Sequence, residues 1–208
     1  MMVKAKGGKL WHKKDKQAGI VPVGLTGLDK EATWSYSKAD GWIYGHGTFC
    51  LTSHTKSVVG LFIWMENSAH EGKRLGQEIQ AFADSLETVC MDSKADDEKI
   101  YADIKDKYGI KLLTVPRKEM DKSERRQKMM AEQMKLENRL IYKKRATTVE
   151  PMQGLIKDLF GLEDCSMRGN RSNRWLFAAM GIAVQIAQHQ ADKKGKSTWK
   201  IKEAVCGL

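Results

Sequence analysis

The chain has 208 residues, enough for one domain with a sizeable buried core and too few for two large ones. Its formal net charge of +10 points to an acidic partner, of which nucleic acid is the commonest for a soluble chain. Cys50, Cys90, Cys165 and Cys206 form no CxxC pair, which excludes a zinc knuckle and a disulfide framework and suits a reducing compartment. No apolar run approaches the roughly 20 residues of a membrane span, and the lysine-rich start lacks the apolar stretch of a signal peptide. The expectation is a cytoplasmic protein with no membrane association.

Residues 1–41 are rich in Gly and Lys without a sustained period, and read as an irregular basic segment. From Trp42 the pattern changes: "WIYGHGTFCLTSHTKSVVGLFIWMEN" gives two β-rich runs, 42–52 and 58–66, joined by a polar turn at 53–57, hence a hairpin. Leu75, Ile79, Phe82 and Leu86 stand at helical spacing and predict a helix over 72–86. The run 88–91 reads as a short buried strand, "DDEKIYADIKDKYG" as a helix closed by Gly109, and "IKLLTVP" as a strand stopped by Pro116. Strand, helix and strand in so short a span make a parallel crossover unit. The charged, Met-rich stretch 119–141 reads as helical, followed by helices at about 148–160, closed by Gly161, and at about 170–191. A hairpin, a crossover unit and then helices is an α/β layer arrangement.

Charge is distributed unevenly. Residues 1–20 carry six lysines against Asp15, residues 110–174 carry sixteen Lys/Arg against nine Asp/Glu, and residues 81–109 carry four basic against eight acidic. An acidic centre between basic flanks fits a site that holds cations while its surroundings hold phosphates. Asp92 ends the strand 88–91, the usual ligand-binding rim of an open α/β sheet, although capping of the next helix by Asp92 or Ser93 explains the same residue. Glu150 opens the helix at 148–160 and shares a face with Lys157 two turns on, so a carboxylate and a cation line one side; an ordinary carboxylate at a positive helix end explains Glu150 equally. Paired carboxylates and cations suit two-metal phosphodiester chemistry, which needs hard oxygen ligands and commonly three carboxylates. The histidines lack ligand spacing. Trp11, Trp34, Trp42 and Trp64 are candidates for stacking on bases, but Trp42 and Trp64, inside strands, are expected in the core.

Six segments, "KAKGGKLWHKKD", "GLDKEATWSYSKADGWIYGHG", "ENSAHEGKRL", "VCMDSKADDEKIY", "YKKRATTVEPMQGLIK" and "RGNRSNRWLFAAMGIAVQ", follow one another along nearly the whole chain. In that order they resemble the DDE transposases of bacterial insertion sequences. The resemblance implies an α/β fold with an RNase H-like mixed sheet flanked by helices, lacking its first strand, with 1–41 an irregular basic segment and 42–208 the catalytic domain of a single-domain chain. It implies that Asp92 is the second catalytic aspartate and Glu150 the catalytic glutamate, both ligands of Mg²⁺ or Mn²⁺. The family's signature is Tyr, two residues, Arg, three residues, Glu, six residues, Lys. Here Glu150 and Lys157 keep the last interval, while Tyr142 and Arg145 stand one residue farther from the glutamate. By the same resemblance Tyr142, Lys144, Arg145, Lys157 and Arg168 contact DNA.

The family's first catalytic aspartate precedes the segment that here reads "MVKAKGGKLWHKKD", so that strand, its aspartate and any DNA-binding helices are expected upstream of Met1. Asp29 is the substitute third carboxylate within the chain. The implied function is transposition: binding of transposon-end DNA and, in the complete protein, metal-dependent cleavage and strand transfer, with this chain inactive alone. The alternative is a non-catalytic DNA-binding or regulatory fragment. The implied partners are double-stranded DNA of the terminal repeats and either a second copy or a full-length transposase. The implied location is the prokaryotic cytoplasm, at the nucleoid.

Overall fold

The computed structural model describes residues 1–5, 11–21, 23–24, 26–37, 41–117, 123–201 and 203. In chain order the elements are β1 (Met2–Lys4), α1 (Lys13–Gln17), β2 (Thr33–Ser37), β3 (Gly41–Thr52), β4 (Val59–Met65), α2 (Glu71–Glu78), β5 (Thr88–Cys90), α3 (Glu98–Tyr108), β6 (Lys111–Leu113), α4 (Glu124–Met134), α5 (Leu136–Lys143), α6 (Val149–Phe160) and α7 (Asn170–Lys193). The chain divides into two compact units, Met1–Ser68 with Thr148–Leu208, and Ala69–Thr147.

In the first unit β3 is the centre of a four-stranded antiparallel sheet. β1 pairs along one edge of it over Gly45–Gly47, while β2 and β4 follow one another along the opposite edge, meeting Gly41–Gly45 and Gly47–Thr52. Residues 43–49 are buried without alternation, as a central strand covered on both faces requires. A Cβ at Gly45 would overlap the Val3 carbonyl oxygen, so glycine there lets β1 approach. α7 lies on β4, and Gly181 brings its backbone down to Phe62. Gln188 Oε1 accepts from the Val59 amide at 2.8 Å and Gln185 Nε2 donates to the Gly60 carbonyl at 2.7 Å, so side chains of α7 satisfy backbone groups of β4. Phe62, Met152, Ile156, Phe177 and Val184 fill the core between sheet and helices, with Phe62 and Phe177 meeting edge to face at 6.2 Å.

The expected hairpin stands at Gly41–Thr52 and Val59–Met65. Residues 1–41 differ from the expectation: they supply β1, α1 and β2 instead of an irregular segment. Both strands are short and owe their regularity to bonds with β3, so no local period announces them. Trp64 is in the core as expected, but Trp42 is 60 % exposed.

In the second unit β5 and β6 pair in parallel, with α3 as the crossover, as the sequence predicts. Asp97 caps α3 by accepting from the Lys99 and Ile100 amides, and Gly109 closes it in the left-handed conformation at φ 67°. The helix predicted over 72–86 ends at Glu78 and tightens into a 3-10 turn, Ile79–Ser85. The stretch 119–141 holds two helices, separated where Lys135 turns extended (φ −56°, ψ 140°); its residues 119–122 lie outside the described residues. The buried Asn138 Nδ2 donates to the Glu132 carbonyl at 2.7 Å across that break, replacing a lost helical bond. Parallel and antiparallel sheets with their helices make a mixed α/β protein, in agreement with the RNase H-like expectation.

Candidate functional site

Three aspartates in "MDSKADD" have three different surroundings. Asp97 caps α3. Asp96 is fully buried against the equally buried Arg126, whose Nη1 donates to Oδ1 at 2.5 Å and whose Nη2 pairs with Oδ2, and the Arg117 amide and Thr114 hydroxyl add further donors. Asp92, half-buried at the end of β5, is left for other work. Its Oδ1 accepts from the Lys94 amide at 2.8 Å, capping the 3-10 turn Ser93–Ala95, while Oδ2 takes no hydrogen bond among the described residues. The capping reading of Asp92 is therefore correct for one oxygen, and it caps this turn instead of α3.

Beside Asp92 stand residues from the far end of the unit. Tyr142 closes α5 and Arg145 lies in the 3-10 turn Lys144–Thr147. Burial raises the Tyr142 hydroxyl above its ordinary pKa; the Arg145 charge and hydrogen bond oppose this, and Asp92 and Cys90 add to it. Tyr142 thus keeps its proton at neutral pH and remains a donor. Burial likewise pushes the Cys90 thiol up to about 11 against the pull of Arg145, so it is not a thiolate. Lys144, the next cation, is exposed. Asp92, Cys90, Tyr142 and Arg145 thus share one neighbourhood, which no local sequence period could have shown.

The remaining predicted residues belong to the first unit. Glu150 is exposed in the first turn of α6, and Lys157 in its last turn pairs with Glu163 at 3.2 Å. Arg168, exposed just before α7, sets its guanidinium against the backbone of Gly27.

A family model described as the transposase DDE domain matches residues 8–185, most of the chain. The chain belongs to that family. Comparison with curated proteins gives no match, and comparison with solved structures gives none. Membership supports a role of this DDE domain in transposition, with DNA as the partner class and divalent metals as the ions such domains use in general. No helix among the described residues is long and apolar enough to cross a membrane.

Asp29, the substitute third carboxylate of the DDE domain, is 2 % exposed and fully engaged. Oδ2 accepts from His46 Nε2 at 2.8 Å and from the Gly169 amide at 2.9 Å, and Oδ1 accepts from the Glu31 amide at 3.1 Å. His46 Nδ1 accepts from Trp64 Nε1 at 3.1 Å, and because an indole N–H only donates, the imidazole proton sits on Nε2. Burial pushes the Asp29 carboxyl up, but the hydrogen bonds from His46, Gly169 and Glu31 outweigh it and hold its pKa below the usual value. Arg174 stacks over Trp64 at 4.5 Å. This network ties β3, β4 and the start of α7 together, and its residues are spaced too irregularly for sequence reasoning to find. In this fold Asp29 serves as the acceptor that holds His46, Gly169 and Glu31 together.

The carboxylate oxygens of Asp92 and Glu150 suit a hard divalent cation in donor chemistry. Among the described residues, no three His, Cys, Asp or Glu side chains form a group that could hold one. Asp92, Tyr142, Lys144 and Arg145 lie in the second unit, and Glu150, Lys157, Arg168 and Asp29 in the first.

Proposed function

We propose that this DDE domain binds transposon-end duplex DNA and that Asp92 and Glu150 are carboxylates of its cleavage and strand-transfer centre, ligating Mg²⁺ or Mn²⁺. The observation that carries the reading is Asp92 at the end of a parallel strand, with one carboxylate oxygen that takes no hydrogen bond among the described residues and Tyr142 and Arg145 gathered beside it. When bound, a divalent cation activates the attacking oxygen and stabilises the leaving one. Arg145 offers a planar cation to a phosphate, and the protonated Tyr142 donates to a phosphate oxygen. Lys144, Lys157 and Arg168 supply further backbone neutralisation.

A second reading is favoured by the full engagement of Asp29, which leaves Asp92 and Glu150 without a third carboxylate from that position: the chain alone binds ends, or pairs with a full-length transposase, without cutting. The test is binding and Mn²⁺-dependent cleavage of a terminal-inverted-repeat duplex. Asp92→Ala and Glu150→Ala should each abolish Mn²⁺ binding measured by calorimetry, and Arg145→Ala should lower the salt slope of duplex binding by about 0.9. Cleavage that survives Asp92→Ala would overturn the catalytic reading, whereas duplex binding without any cleavage would establish the second.

A further inference from the structure

We infer that the turn end of the β2–β3 hairpin is a stacking platform for unpaired DNA bases, formed by Tyr36 and Trp42 with Lys13 beside them. The inference rests on the DNA-binding reading and adds to it a single-stranded element, distinct from the residues assigned to the duplex backbone.

The register places Tyr36 opposite Trp42 and Trp34 opposite Tyr44. Residues two apart on a strand share a face, so the four rings line one side of the ladder. The inner end of this row is core: Tyr44 is 3 % exposed, meets Trp34 at 5.2 Å and receives the edge contact of Trp11 at 5.9 Å. The outer end is not, since Tyr36 is 58 % and Trp42 60 % exposed. Their rings meet at 5.5 Å and 66°, an edge-to-face contact that stabilises the hairpin and still leaves ring surface open.

α1 treats the two ends differently. Lys16 lies over Tyr44 at 4.9 Å and Trp11 at 5.6 Å, and it donates to the Ala32 carbonyl, so it is used inside the fold. Lys13, one turn earlier, lies 5.6 Å from the Trp42 centroid at the exposed end of the row. The segment that carries Lys13 is basic in sequence, with six lysines against Asp15 in residues 1–20. An aromatic face beside a cation fits a nucleotide, whose base stacks on the ring while its phosphate meets the ammonium. Duplex DNA cannot use such a platform because its bases already stack on each other. The complementary partner is therefore a DNA segment with unpaired bases.

The test measures affinity of the full chain for an oligothymidylate of about 12 nucleotides, within the usual site sizes, and for a fully paired duplex. Trp42→Ala and Tyr36→Ala should each weaken oligothymidylate binding about tenfold, as loss of one base stack does, with duplex binding changed less than about twofold. Trp42→Phe should restore most of the loss, and Lys13→Gln should lower the single-strand salt slope by about 0.7. Equal oligothymidylate affinity for wild type and Trp42→Ala overturns the inference. So does wild type that binds duplex and not the oligomer, which leaves the duplex reading standing; binding of neither sinks both.

Discussion

Asp29→Ala separates a structural carboxylate from a metal ligand. The substitution removes the acceptor of three donors: the buried His46 Nε2–H and the amides of Gly169 and Glu31. His46 cannot compensate by moving its proton to Nδ1, because that nitrogen receives the Trp64 indole N–H. Leaving a buried donor unsatisfied costs about 1–3 kcal/mol; with His46 bearing the full cost and the partly buried Gly169 amide a fraction of it, the loss comes to about 2–4 kcal/mol. For a chain of this size that is a drop in Tm of about 5–15 °C. Thermal unfolding followed by circular dichroism reads it directly. Asp29→Asn should fall between wild type and alanine, since an amide keeps the shape but turns one of its two ends into a donor facing donors. A change of Tm under about 2 °C, together with loss of Mn²⁺ binding, would refute the reasoning and restore Asp29 as a ligand.

Two other outcomes follow from buried charge. Arg126→Met strands Asp96 in the interior, so the second unit should lose about 3–5 kcal/mol in urea unfolding, and the Asp96→Leu/Arg126→Met double variant should lose less than Arg126→Met alone; the reverse order would mean the pair contributes net stability. Asp29 also makes stability depend on acid. Its folded pKa lies below the usual aspartate value, so the unfolded state binds the proton first on acidification: the contribution is complete well above the usual aspartate pKa and declines as pH falls through the folded pKa. Asp29→Asn should flatten that acid limb in pH-dependent unfolding, and an unchanged limb would show that another carboxylate sets it.

Particular residues show what could be read early. The β-rich runs at 42–52 and 58–66 with the polar turn between them marked the hairpin, and Gly109 and Gly161, both left-handed in the fold, marked two helix ends. These signals are local: strand period, helix period and the steric freedom of glycine operate over a few residues. β1 and β2 escaped notice because only hydrogen bonds to β3 make them strands. The break at Lys135 escaped because the charged pattern continues across it, and Asn138 bridges it from within the next helix.

The same division runs through the candidate site. By itself the sequence determined the hairpin, the crossover, the carboxylate at the end of β5 and the family pattern around Glu150 and Lys157, since each is a matter of residue type and short spacing. Only the tertiary structure decided which aspartate does what: Asp96 is consumed by Arg126, Asp29 by His46 and Gly169, and Asp97 by α3, whereas Asp92, beside Tyr142 and Arg145, has one oxygen without a hydrogen bond among the described residues. It also decided that Trp64 is core while Trp42, on the same sheet, faces solvent. The physical reason is that a carboxylate's or a ring's role depends on the partners around it, and those partners are assembled by packing between segments remote in the chain.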